Sequence, residues 1–367
     1  MKKIITILFL VLILISASCS NPTEIDNKIK PVRDPRTFAW TVDTIKYDDP
    51  NASQIRMSSI WGSSPNDVYF CGHNSLPLEG KLWHYNGSKL EEIKLNEKLS
   101  LNWYDLTKVF GFSKNDVWVI GDQVVDDPQH IVGSVRTPLI ARFDGVNWKQ
   151  YRLNFYKDHT TALLGINGDS PNNLWVCGYD GLVAHFNGVD WIQDTVVLDN
   201  SAGKEFNISD VTVYKDQVYL QGQLIKADGI YNQYYSIKGT IKNWKVIDSF
   251  WANETPKFGY TNLYSGFGKL YSILPNVYEY DNSSWSTIIT LPSDYRAINM
   301  SGTDENNILI CSYNGLFHWN GADIKQMELP NYHYGDLIWG VWLDGQEAFA
   351  VGFSYFDATK SFFWHGK

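Results

Sequence analysis

Three aspartates, Asp105, Asp158 and Asp336, stand beside aromatic residues in the short segments "LNWYD", "NFYKDHT" and "NYHYGD". Where two such carboxylates converge they can work as general acid and general base on a glycosidic bond. These segments, with "DSFWANETPKFGY" and "SDYR", supply Trp103, Tyr104, Phe155, Tyr156, Trp251, Tyr295, Tyr332 and Tyr334, and place His159, His333, Arg56 and Arg296 among them. Rings flanked by acids and donors suit a sugar face, a peptide or a protein surface. The acids Asp122, Asp126 and Asp127 form a further group that reads as a solvated loop, with cation binding as the alternative. There is no Gly-x-Ser-x-Gly elbow, no His-Glu-x-x-His and no glycine-rich phosphate loop. Whether these residues meet depends on the elements that carry them.

Those elements repeat. "MSSIWGSSPNDVYFCG", "LTKVFGFSKNDVWVIG", "LLGINGDSPNNLWVCG" and "AINMSGTDENNILICS" begin at Met57, Leu106, Leu163 and Ala297, and weaker copies begin at Ile208, Tyr260 and Ile338. Each reads as a strand, a tight polar turn and a second strand. Most are followed by a hairpin such as "LWHYNGSKLEEIKL" or "IARFDGVNWKQYRL", whose Asn-Gly or Asp-Gly pair suits a two-residue turn with both central residues at positive φ. Four antiparallel strands at a period of roughly 35 to 55 residues are the pattern of a β-propeller blade. Seven copies give an all-β, seven-bladed β-propeller. The last copy ends after its third strand, "SFFWHGK", while "FAWTVDTI" at residues 38–45 has no unit of its own. Trp40 there matches Trp148, Trp191, Trp244 and Trp285 of the other fourth strands, so the N-terminal strand is expected to complete the last blade. An open ring would leave unpaired sheet edges.

Aligning the copies sorts the side chains. Ile60, Val109, Ile166, Val211, Leu263, Met300 and Val341 form an apolar column between blades. The preceding column, Ser59, Lys108, Gly165, Asp210, Asn262, Asn299 and Gly340, is small or polar and is assigned to the central channel, with Lys108 and Asp210 as its charges. Cys71, Cys177 and Cys311 share a second-strand column with Ile120, Ile273 and Val351, so they read as small buried hydrophobes and not as a disulfide or zinc set. His84, His185 and His318 share a third-strand column. Metal ligands must converge, whereas equivalent positions in different blades diverge. No metal and no cofactor is expected.

The loops between strands two and three and between blades are long and dissimilar, so function is expected on that variable face. Its candidate ligand-binding residues are Trp103, Tyr104, Asp105, Tyr156, Asp158, His159, Trp251, Tyr295, Arg296, Tyr332, His333, Tyr334 and Asp336.

The chain starts "MKKIITILFLVLILISASCS": two lysines, an apolar run and small residues, the layout of an export signal over residues 1–18. The run is shorter than an ordinary membrane span. Residues 19–37 are polar with three prolines and read as a flexible tether, leaving 38–367 as the propeller. The whole chain has 31 basic and 40 acidic residues, for a net charge of −9. Without Lys2 and Lys3 it is more acidic still, which argues against a nucleic-acid partner.

"SASCS" resembles the lipobox of bacterial lipoproteins, with Cys19 as the lipidated residue and Ser20 of the type sent to the outer membrane; plain secretion is the alternative. "IWGSSPNDVYFCG" and "FNGVDW" resemble a repeat of bacterial exported propellers, WGSSPNDVWAVG followed by a HYDGxxW hairpin. This likeness covers nearly the whole mature chain and implies blade construction alone. The hairpin is also distantly similar to the Asp-box of sialidase-type propellers, although "RFDGVNW" lacks the Ser-x-Asp lead. The resulting expectation is a monomeric, lipid-anchored domain of the bacterial envelope that binds a protein or glycan without catalysis. The alternatives are a polysaccharide-acting hydrolase or lyase and a structural subunit of an envelope assembly.

Overall fold

The computed structural model describes residues 31–46, 53–75, 78–127, 133–153, 161–198, 205–225 and 232–367. Its strands form seven four-stranded antiparallel sheets. Blades 1 to 6 span 55–92, 103–151, 163–195, 205–251, 262–289 and 297–326. Blade 7 takes its first three strands from 337–366 and its outermost from Trp40–Lys46. That strand pairs with Lys360–Gly366 from Trp40↔Gly366 to Lys46↔Lys360, which closes the ring as the repeat count requires. Glycine at 366 leaves room for the indole: a Cβ there would come within 2.8 Å of the Trp40 ring.

The described chain joins the ring before Phe38. Arg33 N donates to Gly345 O at 2.8 Å, and Arg36 donates to His318 Nδ1, at 3.0 Å, and to Asp323 Oδ1, at 2.9 Å. The stretch expected to be tether up to residue 37 is therefore strapped to blades 6 and 7 in its last few residues.

The repeated motif explains the blade. In "NDV" the acid or amide opening strand two reaches the third-strand column: His84 Nε2 lies 2.8 Å from Asp67 Oδ1, His185 Nε2 3.0 Å from Asn173 Oδ1, and His318 Nε2 2.9 Å from Asn307 Oδ1. In blade 2 the partner is Arg142, whose Nε donates to Asp116 Oδ1 at 2.7 Å. The large second-strand ring lies beneath, with Tyr69 stacked on His84 and Trp175 on His185 at centroid separations of 4.2 and 4.3 Å. "Trp-Gly" works between blades: a Cβ at Gly111 would come within 2.7 Å of the Trp61 ring of the preceding blade. Cys71, Cys177 and Cys311 are free and buried.

The hairpin turn differs from the sequence expectation. Gly87, Gly145, Gly188 and Gly321 have φ of 91°, 93°, 95° and 87°, but the Asn or Asp before each does not take positive φ. The glycine holds the first central position. The preceding side chain caps the turn from outside, as when Asn86 Oδ1 accepts from Ser88 N and Lys89 N.

Two features hold the ring together. In six blades the first strand carries a register shift at one equivalent place, for example between Met57 and Ser59 and between Ile338 and Gly340. Such a bulge re-aims the side chains beside it. Every seam is also bridged by a side-chain hydrogen bond to backbone or to a neighbouring side chain. Val109 N donates to Ser59 Oγ at 3.1 Å, Thr107 Oγ1 to Leu163 O at 2.7 Å, Thr212 Oγ1 to Asn167 Oδ1 at 3.1 Å and Leu263 N to Asp210 Oδ2 at 2.9 Å. Asn262 Nδ2 donates to Ile298 O at 2.7 Å and Leu343 N to Ser301 Oγ at 3.0 Å. Ser361 Oγ, which donates to Ile55 O at 3.1 Å, bridges the closing seam.

Candidate binding site: the channel and its mouth

The first strands surround an axial cavity of about 550 Å³ to which all seven blades contribute. Ser59, Lys108, Asp210, Asn262 and Asn299 line it. Lys108 reaches across from blade 2: its Nζ lies 2.8 Å from Asp210 Oδ1 of blade 4 and 3.0 Å from Asn262 Oδ1 of blade 5. Asp210 is 3% exposed, so the pair places a buried carboxylate against a partly exposed ammonium. Towards the stereotyped turns, Trp61, Phe110, Tyr264 and Trp342 line the cavity.

The other end opens among the variable loops. There Trp339 meets Tyr313 at 5.7 Å and Phe353 at 6.0 Å between ring centroids, and the Arg56 guanidinium lies 5.2 Å above the Phe353 ring. Trp339 occupies the bulge position of blade 7, where blades 1, 2 and 4 have Ser58, Thr107 and Ser209.

Across the mouth, Asp105 and Asp122 are direct cross-strand partners in blade 2. His73 Nδ1 lies 3.4 Å from Asp105 Oδ1, and Arg136 Nε lies 2.9 Å from Asp122 Oδ2. Asp122 is 3% exposed, and burial pushes its carboxyl up to about 7 against the pull of Arg136, with Asp105 pushing the same way. Burial also raises Asp105, against the attraction of His73 and Arg136. Asp122 belongs to the strand Asp116–Asp126 and not to a solvated loop, which corrects the reading of the Asp122, Asp126 and Asp127 group.

The remaining sequence candidates are dispersed. Trp103 is 60% exposed, and His333 and Tyr334 are exposed beside it only in the sense of sharing the face. Trp251 is half-buried, its backbone N–H donating to Glu254 Oε2 at 2.8 Å, and Arg296 is exposed. Tyr295 packs edge-on against Phe317 and bonds Gln326 through its hydroxyl. Tyr104 does not face the ligand side: it is 1% exposed and packs in the core between blades 1 and 2. Asp336 is buried as well, its Oδ2 accepting from His333 N at 3.0 Å to fix its own loop, and Tyr332 packs against the core between blades 6 and 7. For Tyr104 the period of the strand Trp103–Ser113 turns the side chain inward, whereas Tyr332 and Asp336 lie in the loop before the strand Leu337–Leu343. Tyr156, Asp158 and His159 lie outside the described residues, as does Cys19. Sequence reasoning missed Trp339, Phe353, His73 and Arg136, and left Asp122 unpaired with Asp105. Trp339 had a signal, as the one ring in the bulge column. Tyr355 and Phe356, 72% and 73% exposed, also enlarge the aromatic surface of blade 7 beyond Tyr334.

No family model and no curated protein matches the chain. Solved structures do. YCF48 bound to D1 peptide is 12% identical over 88% of this chain and 96% of that one, with a TM-score of 0.54. YCF48 from Cyanidioschyzon merolae is 14% identical over 89% and 99%, with a TM-score of 0.52. The extracellular domain of the putative hybrid two-component system BT4673 from B. thetaiotaomicron is 11% identical over 88% of this chain and 40% of that one, with a TM-score of 0.54. At these identities the likeness is one of fold, that of a seven-bladed propeller.

Proposed function

We propose that this propeller is a binding module of the bacterial cell envelope, held by a lipid on Cys19, which receives a segment of another protein at the mouth of its channel. The observation that carries the reading is the wall of Tyr313, Trp339 and Phe353 capped by Arg56, standing at the variable end of a cavity whose other end is lined by Trp61, Phe110, Tyr264 and Trp342. Aromatic and arginine side chains are the usual anchors of protein recognition. One neighbour in fold holds a peptide and another is an extracellular sensor-system domain, which supports binding over catalysis.

The test is binding of the mature chain to an array of envelope-protein peptides and to a glycan array, beside the Trp339→Ser variant. Peptides retained by wild type and lost by the variant support the reading; glycans retained and lost in their place reassign the ligand. Binding untouched by the variant refutes the mouth as the site. A second reading, a polysaccharide-acting enzyme, draws on the Asp105–Asp122 pair, and turnover of a cell-wall or capsular polysaccharide abolished by Asp122→Asn would establish it.

A further inference from the structure

The hydrogen-bonding groups that line the channel are not balanced between donors and acceptors. The strong acceptors are engaged by the protein itself. Asp210 Oδ1 accepts from Lys108 and Oδ2 from Leu263 N; Asn262 Oδ1 accepts from Lys108; Asn299 Oδ1 accepts from Met300 N at 2.8 Å. Asn167 Oδ1 accepts from Thr212 Oγ1. These bonds stitch or brace the blades, so each of these acceptors already has a partner within the protein even though its oxygen keeps further lone-pair capacity.

Several donors are available. An ammonium has three N–H groups, and Lys108 uses two of them on Asp210 and Asn262. Asn299 Nδ2 and the Ser59 hydroxyl hydrogen have no partner among the described residues, although the oxygens of both are engaged. All three side chains line the same cavity, and Arg56 adds a cation at its entrance. A cavity whose acceptors are satisfied and whose donors are not is matched by a guest rich in acceptors and poor in donors.

We infer that the channel is a carboxylate site: it takes an acidic side chain or a free chain end of the bound polypeptide, received by Lys108 Nζ, Asn299 Nδ2 and the Ser59 hydroxyl. The inference rests on the reading of the mouth as a polypeptide site and specifies which group enters. Asp105 is the exception among the acceptors. Its Oδ1 finds only His73 at 3.4 Å, and it opposes an anion at the entrance. That opposition gives the site a testable sign: neutralising Asp105 strengthens the binding of an anion and weakens that of a cation.

The experiment is isothermal titration of the full mature chain with four short peptides carrying one aromatic residue each. One ends in a free carboxylate, one is C-amidated and neutral, one is amidated with an internal aspartate, and one is amidated with an internal lysine. Expected are binding of the two acidic peptides, at least tenfold weaker binding of the neutral one and weaker still of the lysine peptide. The first and third arms separate a chain end from a side chain as the source of the carboxylate. Arg56→Gln, at an exposed position, should cut acidic-peptide affinity several-fold, and Asp105→Asn should raise it. Lys108→Met should abolish the preference, checked on protein whose circular dichroism matches wild type. Equal affinity for all four peptides, sensitive to Trp339→Ser, overturns the carboxylate site and leaves the mouth standing. A preference for the lysine peptide overturns the site by sign. No binding by any peptide overturns both readings.

Discussion

Replacing Lys108 by Met tests the cross-channel tie. The substitution keeps most of the stem and removes the ammonium, leaving Asp210, 3% exposed, with only the Leu263 N–H on its second oxygen. Removing one partner of a buried ion pair costs about 3–5 kcal/mol, because the remaining charge stays desolvated. The Lys108 side chain is 25% exposed, which admits some screening and places the expected loss at about 3 kcal/mol. Asp210→Asn is milder: it strands no buried carboxylate, and the Lys108 ammonium, 25% exposed, keeps Asn262 Oδ1, so the cost is about 1–2 kcal/mol. The two changes interact with opposite signs. Asp210→Asn destabilises wild type but stabilises Lys108→Met, since it removes the stranded carboxylate. Urea unfolding of the four proteins in this cycle, at one pH and with shared slopes, measures the coupling. If Lys108→Met costs no more than Asp210→Asn, or the double variant shows the simple sum, the tie contributes nothing and the argument for it fails.

Asp122 should give stability an unusual pH dependence. Its folded value of about 7 lies above the ordinary carboxylate value of 3.8, so the native state holds a proton that the unfolded chain releases. Its contribution is therefore full below pH 4 and lost as pH rises towards 7, by at most about 4 kcal/mol at 1.36 kcal/mol per unit. Asp122→Asn should accordingly gain stability over wild type at pH 8 and little at pH 4.5, and a difference independent of pH would refute the assignment. Deleting residues 38–45 should abolish the single cooperative melt of the whole ring, because it exposes the strand Lys360–Gly366 and uncovers the apolar seam between blades 6 and 7. Ser361→Ala, which strands Ile55 O and Met57 N in the closing seam, should cost about 1–3 kcal/mol in the same assay.

The scaffold was legible because its signals are local and repeated. The Ser-Pro-Asn-Asp turns, the Asn-Gly hairpins and the alternating rings each report on a few neighbouring residues, and seven copies average out the irregular ones. The orphan strand at Trp40 could be placed by subtraction alone. The bulge was not legible. It inserts one residue into the first strand without changing its composition, and it decides that Trp339 turns to the mouth. Tyr104 was misplaced because adjacent residues of a strand face opposite ways, so one position of uncertainty exchanges a ligand contact for a core side chain; Asp336 was misplaced because its carboxylate braces the loop before the strand Leu337–Leu343 through His333 N. The Asp105–Asp122 pair needed register, since its members are 17 residues apart in sequence and opposite each other only once the hairpin is aligned.

A repeat protein whose sequence carries none of the catalytic motifs sought above still marks its site through the positions where its own columns break. Uniform positions are uniform because each blade must solve the same packing problem: the cysteines stand for isoleucine and valine, and the histidines for arginine on an acid or amide latch. A position that departs from its column has lost that common reason and needs another. Lys108 and Asp210 depart from a column of small and neutral residues and find each other across the channel. Their pairing is possible only because the ring brings blade 2 opposite blade 4, so it cannot serve either blade alone. Trp339 departs from a column of hydroxyl and aliphatic residues and forms the wall of the mouth instead. Both departures border the same cavity, and the strap at Arg33 and Arg36 fastens at its opposite end. The division follows from the physics of a closed ring: seams tolerate little change because each must match its neighbour, whereas the inner edge and the mouth face a space that no blade has to fill.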